Sequence, residues 1–138
     1  MAVGFKAGLL WYPVGQSDFL HSFFSTISYH LEPQGWGTRY PYLMNQLYYS
    51  KVHHKNLQLL LSEVVEVREK LKDYSPSQAI WDIEDLSKQP PWGNDISEEI
   101  TSLENYFVTY DGKDLFDRFI RAIHEALELK LDLGIHES

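Results

Sequence analysis

The sequence predicts an α+β fold in which a small antiparallel or mixed sheet is covered by three main helices. Three segments carry apolar residues at spacings of three and four, which is typical of amphipathic helices. Three other segments alternate apolar and polar residues or are rich in aromatic and β-branched residues, which favours strands. With 138 residues and 43% hydrophobic content, the chain can bury one core, so we expect a single domain over residues 1–138.

The predicted strands lie near both ends and in the middle of the chain. Residues 3–12 and 79–84 alternate with period two, and residues 106–110 combine aromatic and β-branched side chains. Residues 131–136 either extend the last helix or form a short edge strand. The patterns do not give the strand order. The residues of the first segment that we expect on one face are Val3, Phe5, Ala7, Leu9 and Trp11.

The first helix is expected to begin at a Ser17 cap and to end before Pro33. The second is expected over residues 55–74, and the third over residues 113–130 with Asp111 as its N-cap. Residues 42–52 fit either a short helix or an extended piece, and residues 97–103 a short helix. The residues predicted to be buried at the centres of the three apolar stripes are Phe23, Ile27, Leu61, Val64, Phe119 and Ile123.

The net charge of -8 is unevenly distributed along the chain. Residues 1–62 carry four basic and two acidic residues, whereas residues 63–138 carry 8 basic and 18 acidic residues. Nucleic-acid binding depends on Lys and Arg neutralising phosphates, and anionic membranes attract the same side chains. We therefore expect neither partner. A basic protein partner fits the sign of the charge, although acidity of this size is also an ordinary source of solubility.

Residues 82–104 hold seven acidic residues and one basic residue, Lys88, beside a Pro-Pro turn. We interpret this segment as part of a partner-binding surface. A solvated loop is the competing interpretation, and Asp82 or Asp85 could instead stabilise the turn by accepting backbone N–H groups. The aromatic loop around Trp36 and Tyr40 is the alternative location. The candidate partner-binding residues are Asp82, Glu84, Asp85, Trp92, Asp95, Glu98, Trp36 and Tyr40.

No pattern in the sequence predicts catalysis, a metal or a cofactor. The chain has 0 cysteines, and its six histidines show no metal-ligand spacing; His21 is expected to be a packed or surface histidine. Nucleophile-elbow, P-loop and dinucleotide-binding motifs are missing. Asp82 and Glu84 would share one face of a strand, which leaves a small hydrolase with this carboxylate pair as an alternative function. A structural or regulatory protein-interaction module is another.

Five blocks of the sequence, in the same order, resemble the immunity protein 70 family of bacterial polymorphic toxin systems, and the resemblance covers nearly the whole chain. These blocks are Gly4-Phe5-Lys6, residues 18–24, Gly35-Trp36-Gly37 with residues 40–43, Trp81-Asp82-Ile83-Glu84-Asp85 with Pro90-Pro91-Trp92-Gly93, and residues 105–109 with 111–116.

The resemblance implies a small cytoplasmic protein, encoded beside a secreted toxin, that binds and neutralises that toxin. Its partner would be the C-terminal domain of the cognate toxin, which we expect to be basic because this chain is acidic. Many antibacterial toxins are nucleases with cationic sites. We therefore expect the toxin to be a nuclease, an expectation that rests only on the negative charge of this chain. The first residues lack the features of a signal peptide, which agrees with a cytoplasmic location. The oligomeric state is not predicted.

Overall fold

The computed structural model describes all 138 residues and contains one four-stranded sheet. Its strands are β1 (Ala2–Ala7), β2 (Leu10–Gln16), β3 (Lys51–Val52) and β4 (Leu133–Glu137). The strand order is β2-β1-β4-β3, and every neighbouring pair is antiparallel. Three long helices accompany the sheet, namely α1 (Ser17–Leu31), α2 (Leu57–Leu71) and α3 (Leu115–Leu129). The predicted α+β class with three main helices is confirmed.

The segment predicted as one strand over residues 3–12 is in fact a hairpin. The chain reverses at Gly8 and Leu9, and Gly8 has a φ of +59°, a left-handed conformation that glycine adopts without steric cost. Leu9 is 99% exposed at the tip and does not share the buried face of Val3, Phe5 and Ala7. Trp11 is likewise 38% exposed, and the buried residues of β2 are Tyr12 and Val14, so the buried face changes from odd to even positions at the turn. Leu9 and Trp11 keep the odd spacing of apolar residues in the sequence, which is why the pattern alone did not reveal the turn.

The three helices bury their apolar stripes against the sheet and against one another. Phe119 of α3 stacks on Phe5 of β1 with ring centroids 4.3 Å apart. The six side chains predicted to be buried are all buried in a core of 31 residues. The third helix begins after Asp114, whose side chain accepts the N–H of Asp117, so the prediction of Asp111 as its N-cap was wrong.

Residues 42–52 are part helical and part extended, so the short helix and the extended piece that we considered each describe one part of this segment. A π-helix spans Tyr42–Leu47, and β3 follows it. The carboxylate of Glu63 on α2 accepts the backbone N–H groups of Tyr42 and Leu43 at 3.4 and 2.8 Å. Residues 133–137 form a strand, as one alternative held, but it lies between β1 and β3 and not at the edge.

Residues 79–84 do not form the predicted strand. Their backbone N–H and C=O groups instead form hydrogen bonds with hydroxyl groups on the buried face of α1. The carbonyl of Ile80 accepts the Ser22 hydroxyl at 2.7 Å, and the N–H of Ile80 donates to Thr26 Oγ1 at 3.0 Å. The N–H of Ile83 donates to Ser25 Oγ at 3.1 Å. These hydroxyls supply the hydrogen bonds that a neighbouring strand would have supplied.

The predicted strand over residues 106–110 is also wrong. Its only ladder contact is an isolated bridge between Val108 and Asp114, and the N–H of Tyr110 donates to the carbonyl of Val14 on β2 at 2.9 Å. The predicted helix over residues 97–103 is a series of turns. None of the helices combines the length and the hydrophobicity needed to cross a bilayer.

Candidate binding site

The acidic segment, residues 82–104, crosses the surface without a helix or strand of its own. Two indoles hold it against the core. Trp81 packs edge-on against Trp92 with centroids 5.6 Å apart, and the indole N–H of Trp92 donates to the Tyr106 hydroxyl at 2.8 Å. Further along, the N–H of Leu103 donates to the carbonyl of Tyr74 at 2.9 Å. The segment is therefore anchored at several points along its length.

An open apolar groove of about 340 Å³ lies between the acidic segment, the start of α1 and residues 106–110. Tyr110 is 74% exposed there and Trp92 38%, so large apolar surfaces face solvent side by side. Concave, mainly apolar sites with a few polar groups are common binding sites in proteins. The main apolar side chains that line the groove are Phe19, Trp92, Ile96, Ile100, Val108 and Tyr110.

A carboxylate and a guanidinium fix one wall of the groove. Asp111 forms a two-point contact with Arg118, at 2.8 and 2.9 Å, and also accepts the Thr109 hydroxyl at 2.6 Å. Arg118 donates in addition to the carbonyl of Pro13 at 2.7 Å. The Arg118 hydrogen bonds, followed by that of Thr109, lower the pKa of Asp111 to about 2. This arrangement holds the turn after Tyr110 on the edge of β2.

The groove is bordered by acids and contains no basic side chain. Asp95 is among the residues that line it, Glu98 and Glu99 follow at exposed positions, and no Lys, Arg or His contributes to its lining. Asp95, Glu98, Glu99 and Glu84 take part in none of the ion pairs of the molecule. Their charges are therefore not neutralised within the chain, and the field around the groove is negative.

The other acids of the segment have partners within the chain. Asp82 accepts the N–H of Glu84 at 2.9 Å and lies 3.6 Å from Lys88 Nζ, and Asp85 accepts both the N–H and the hydroxyl of Ser87. These hydrogen bonds lower the pKa of both Asp82 and Asp85. Glu104 pairs with Arg68 at 3.2 Å. Asp82 and Asp85 thus stabilise turns within residues 82–84 and 85–87, and not the Pro-Pro turn at residues 90–91 that the competing interpretation named.

Trp36 and Tyr40 are not placed alike in the aromatic loop. Tyr40 is 1% exposed, and its side chain belongs to the core, so it cannot anchor a partner. The prediction of Tyr40 as a partner-binding residue was therefore wrong. The buried carboxylate of Glu32 shapes the loop by accepting the N–H groups of Gly37, Arg39 and Tyr40. Trp36 is half-buried, donates its indole N–H to the carbonyl of Met44 at 2.8 Å, and lines a separate cavity.

Asp82 and Glu84 do not share a strand face, because residues 79–84 do not form a strand. His21 Nε2 lies 3.2 Å from Asp82, and its Nδ1 lies 2.7 Å from the Tyr48 hydroxyl. Asp82 also accepts the N–H of Glu84 and lies 3.6 Å from Lys88 Nζ, so its carboxylate is engaged within the chain. The geometry offers no support for the hydrolase alternative.

Two groups of side chains bring potential metal ligands within 4.8 Å of one another. In the first, His21, Asp82 and Glu84, both ring nitrogens of the histidine already face protein partners. In the second, His53, His54 and Asp132, the carboxylate accepts the N–H of His54 and lies 3.5 Å from Lys51 Nζ. The nearby ammonium opposes a cation there.

The sequence interpretation named Trp92, Asp95 and Glu98 but missed most of the groove. Ile96 and Ile100 lie four residues apart among acids, a spacing that could have suggested one shared apolar surface. Phe19 was seen only as part of the first helix, and Val108 and Tyr110 only as part of a strand. The groove forms because distant segments meet, and no local pattern encodes that meeting.

Fold and surface together define a small α+β protein whose clearest surface feature is an apolar groove bordered by unpaired acids. A family model described as Immunity protein 70 matches residues 5–135. The chain therefore belongs to the immunity protein 70 family. No curated protein and no solved structure shows a significant match to it.

Proposed function

We propose that this protein is an immunity protein that binds a cognate toxin domain in the cytoplasm and neutralises it by occupation, without catalysis of its own. Family membership supports the class of function. The single observation that supports a binding role for this surface is the apolar groove, which Asp95 lines and beside which the chain carries the exposed residues Glu98 and Glu99. Apolar anchors surrounded by a charged rim are the usual anatomy of protein interfaces.

The two components of the groove would contribute differently. Burial of an apolar toxin side chain between Trp92 and Tyr110 would supply affinity, at about 1.5–3 kcal/mol for each large side chain removed from water. The unpaired acids would accelerate encounter with a basic surface and orient it. A toxin with a cationic active site, such as a nuclease, fits this charge. Its site would be covered and made inaccessible to its own anionic substrate.

Co-expression tests the proposal. Cells that produce the toxin domain encoded beside this protein should survive when this protein is produced as well, and the two chains should elute together in gel filtration. Equal killing with and without this protein, together with separate elution, would refute the proposed function. A catalytically inactive toxin variant permits the elution experiment at high yield.

A further inference from the structure

A second cavity, of about 590 Å³, shares no lining residue with the apolar groove. The end of α1, the loop after it, residues 48–49 and residues 83–84 form its walls. Four aromatic side chains and two carboxylates line it, and no Lys, Arg or His does. These six side chains are Tyr29, Trp36, Tyr48, Tyr49, Glu32 and Glu84.

Three of the rings stand nearly perpendicular to their neighbours. Trp36 and Tyr48 have centroids 4.9 Å apart and planes at 70°, and Tyr48 and Tyr49 have centroids 4.9 Å apart and planes at 84°. The polar atoms of Trp36 and Tyr48 are already used, by the Met44 carbonyl and by His21. The rings therefore offer π-surfaces more than hydrogen-bonding groups. Aromatic walls at such angles are how proteins bind cations through ring faces.

The two carboxylates of the cavity differ in availability. Glu32 is buried and accepts three backbone N–H groups of the aromatic loop, so its hydrogen-bonding capacity is largely used. Glu84 is exposed, and its side chain has neither an ion pair nor a hydrogen bond. Asp82, two residues earlier, is turned to His21 and Lys88. Glu84 is thus the carboxylate free to pair with a cation that enters from solvent.

We propose that this aromatic cavity binds an arginine side chain of the partner. A guanidinium is planar, stacks on aromatic faces and pairs with a carboxylate through two parallel hydrogen bonds, whereas a lysine ammonium is a strongly hydrated point charge. The charge of the cavity complements the guanidinium, since Glu84 is unpaired and the lining holds no cation. The identity of the partner rests on the proposed function, because the cognate toxin would supply the arginine.

N-acetyl-arginine amide is the probe for this site, and its citrulline analogue, which has the same shape without the charge, is the matched control. In a ¹⁵N-labelled NMR titration the arginine probe should shift the indole N–H signal of Trp36 and the amide signals of Tyr48 and Tyr49 saturably, in the millimolar range. The citrulline analogue should bind at least about threefold more weakly. Equal shifts with both probes, or arginine shifts outside the cavity only, would overturn the assignment.

Variants separate the cavity from general surface effects. Tyr49 is 70% exposed, so Tyr49→Ala should leave the fold intact and weaken the arginine probe about threefold, as should Glu84→Gln. Tyr110→Ala, at a tyrosine that is 74% exposed in the apolar groove, and Glu98→Gln are matched controls that should leave the binding of the arginine probe unchanged. Weakening by the controls, or none by the two cavity variants, would also overturn the assignment.

Binding of the toxin is a separate measurement that distinguishes failure of this inference from failure of the proposed function. If the toxin complex forms but the arginine probe does not bind, this inference fails and the proposed function stands. If the probe binds as described but no toxin complex forms, the arginine site stands and the proposed function fails, together with the toxin as the source of the arginine.

Discussion

Trp92 donates its indole N–H to the hydroxyl of Tyr106, with the two atoms 2.8 Å apart. Tyr106 is buried, and Trp92 is partly exposed at the apolar groove. One hydrogen bond thus connects the core to a ring that the proposed toxin would contact. A groove whose wall is held in place before binding loses less conformational entropy when the partner arrives.

This hydrogen bond can be tested by a double-mutant cycle. Trp92→Phe leaves the buried Tyr106 hydroxyl without its partner, so it should lower the free energy of unfolding by about 1–3 kcal/mol beyond the loss of ring size. Tyr106→Phe removes the other partner. The two changes should couple by about 1 kcal/mol in urea denaturation. Additive effects would show that the hydrogen bond does not stabilise the fold.

Tyr110 is the best single position for a test of the apolar groove. Its side chain is 74% exposed, so Tyr110→Ala should leave thermal stability nearly unchanged, yet it should weaken toxin binding by about 2 kcal/mol if the ring is an anchor. Leu129→Ala, at an exposed leucine of α3, is the matched control. Calorimetric titration measures both variants. Equal affinities for the two would remove Tyr110 from the interface.

Reversal of charge tests the unpaired acids of the acidic segment. The triple variant Glu84→Lys, Asp95→Lys and Glu98→Lys should slow association with the toxin about tenfold at low salt and flatten its salt dependence, because these acids have no partners in the free protein. The control reverses three exposed acids elsewhere, namely Asp73, Glu128 and Glu137. Stopped-flow mixing gives both rates. If the two triple variants associate equally fast, the acidic segment has no special role in encounter.

The contact between Asp111 and Arg118 predicts a defined pH dependence. The pKa of Asp111 falls from an ordinary 3.8 to about 2 in the folded protein. A lowered folded-state pKa stabilises the fold above the unfolded-state value, and that stabilisation disappears as the pH falls towards the folded-state value. The destabilisation caused by Asp111→Asn should therefore be full near neutral pH and shrink below about pH 4. A carboxyl ¹³C titration midpoint near 3.8 for Asp111 would contradict this.

The helices could be predicted from the sequence because their stability depends on periodic apolar stripes. Phe23, Val64 and Phe119 lie at the centres of these stripes, and all three are buried. The strands were harder to predict. The hairpin turn at Gly8 interrupts an alternation that continues on both sides, and residues 79–84 satisfy their backbone through Ser22, Ser25 and Thr26 of α1 and not through a sheet. These hydroxyl groups lie more than fifty residues away in the sequence, so no periodic pattern within residues 79–84 indicates them.

The candidate site shows the same division. The concentration of acids in residues 82–104 could be read directly, but the distinction between paired and unpaired acids could not. Asp82 and Glu84 look equivalent in the sequence, whereas the fold directs Asp82 to His21 and leaves Glu84 free. Tyr40 and Trp36 likewise look alike in a glycine-rich loop. In the fold Tyr40 is buried and donates its backbone N–H to the Glu32 carboxylate, whereas Trp36 is only half-buried.

Hydrogen exchange on the complex with the cognate toxin domain tests the central claim most directly. Toxin binding at the apolar groove should slow amide exchange in peptides that cover residues 92–100 and 106–111, and it should leave the exchange of α2 unchanged. The same experiment with Tyr110→Ala should show weaker protection of these peptides at equal toxin concentration. Protection confined to α2 or to the exposed face of the sheet, with the groove peptides unchanged, would contradict the account.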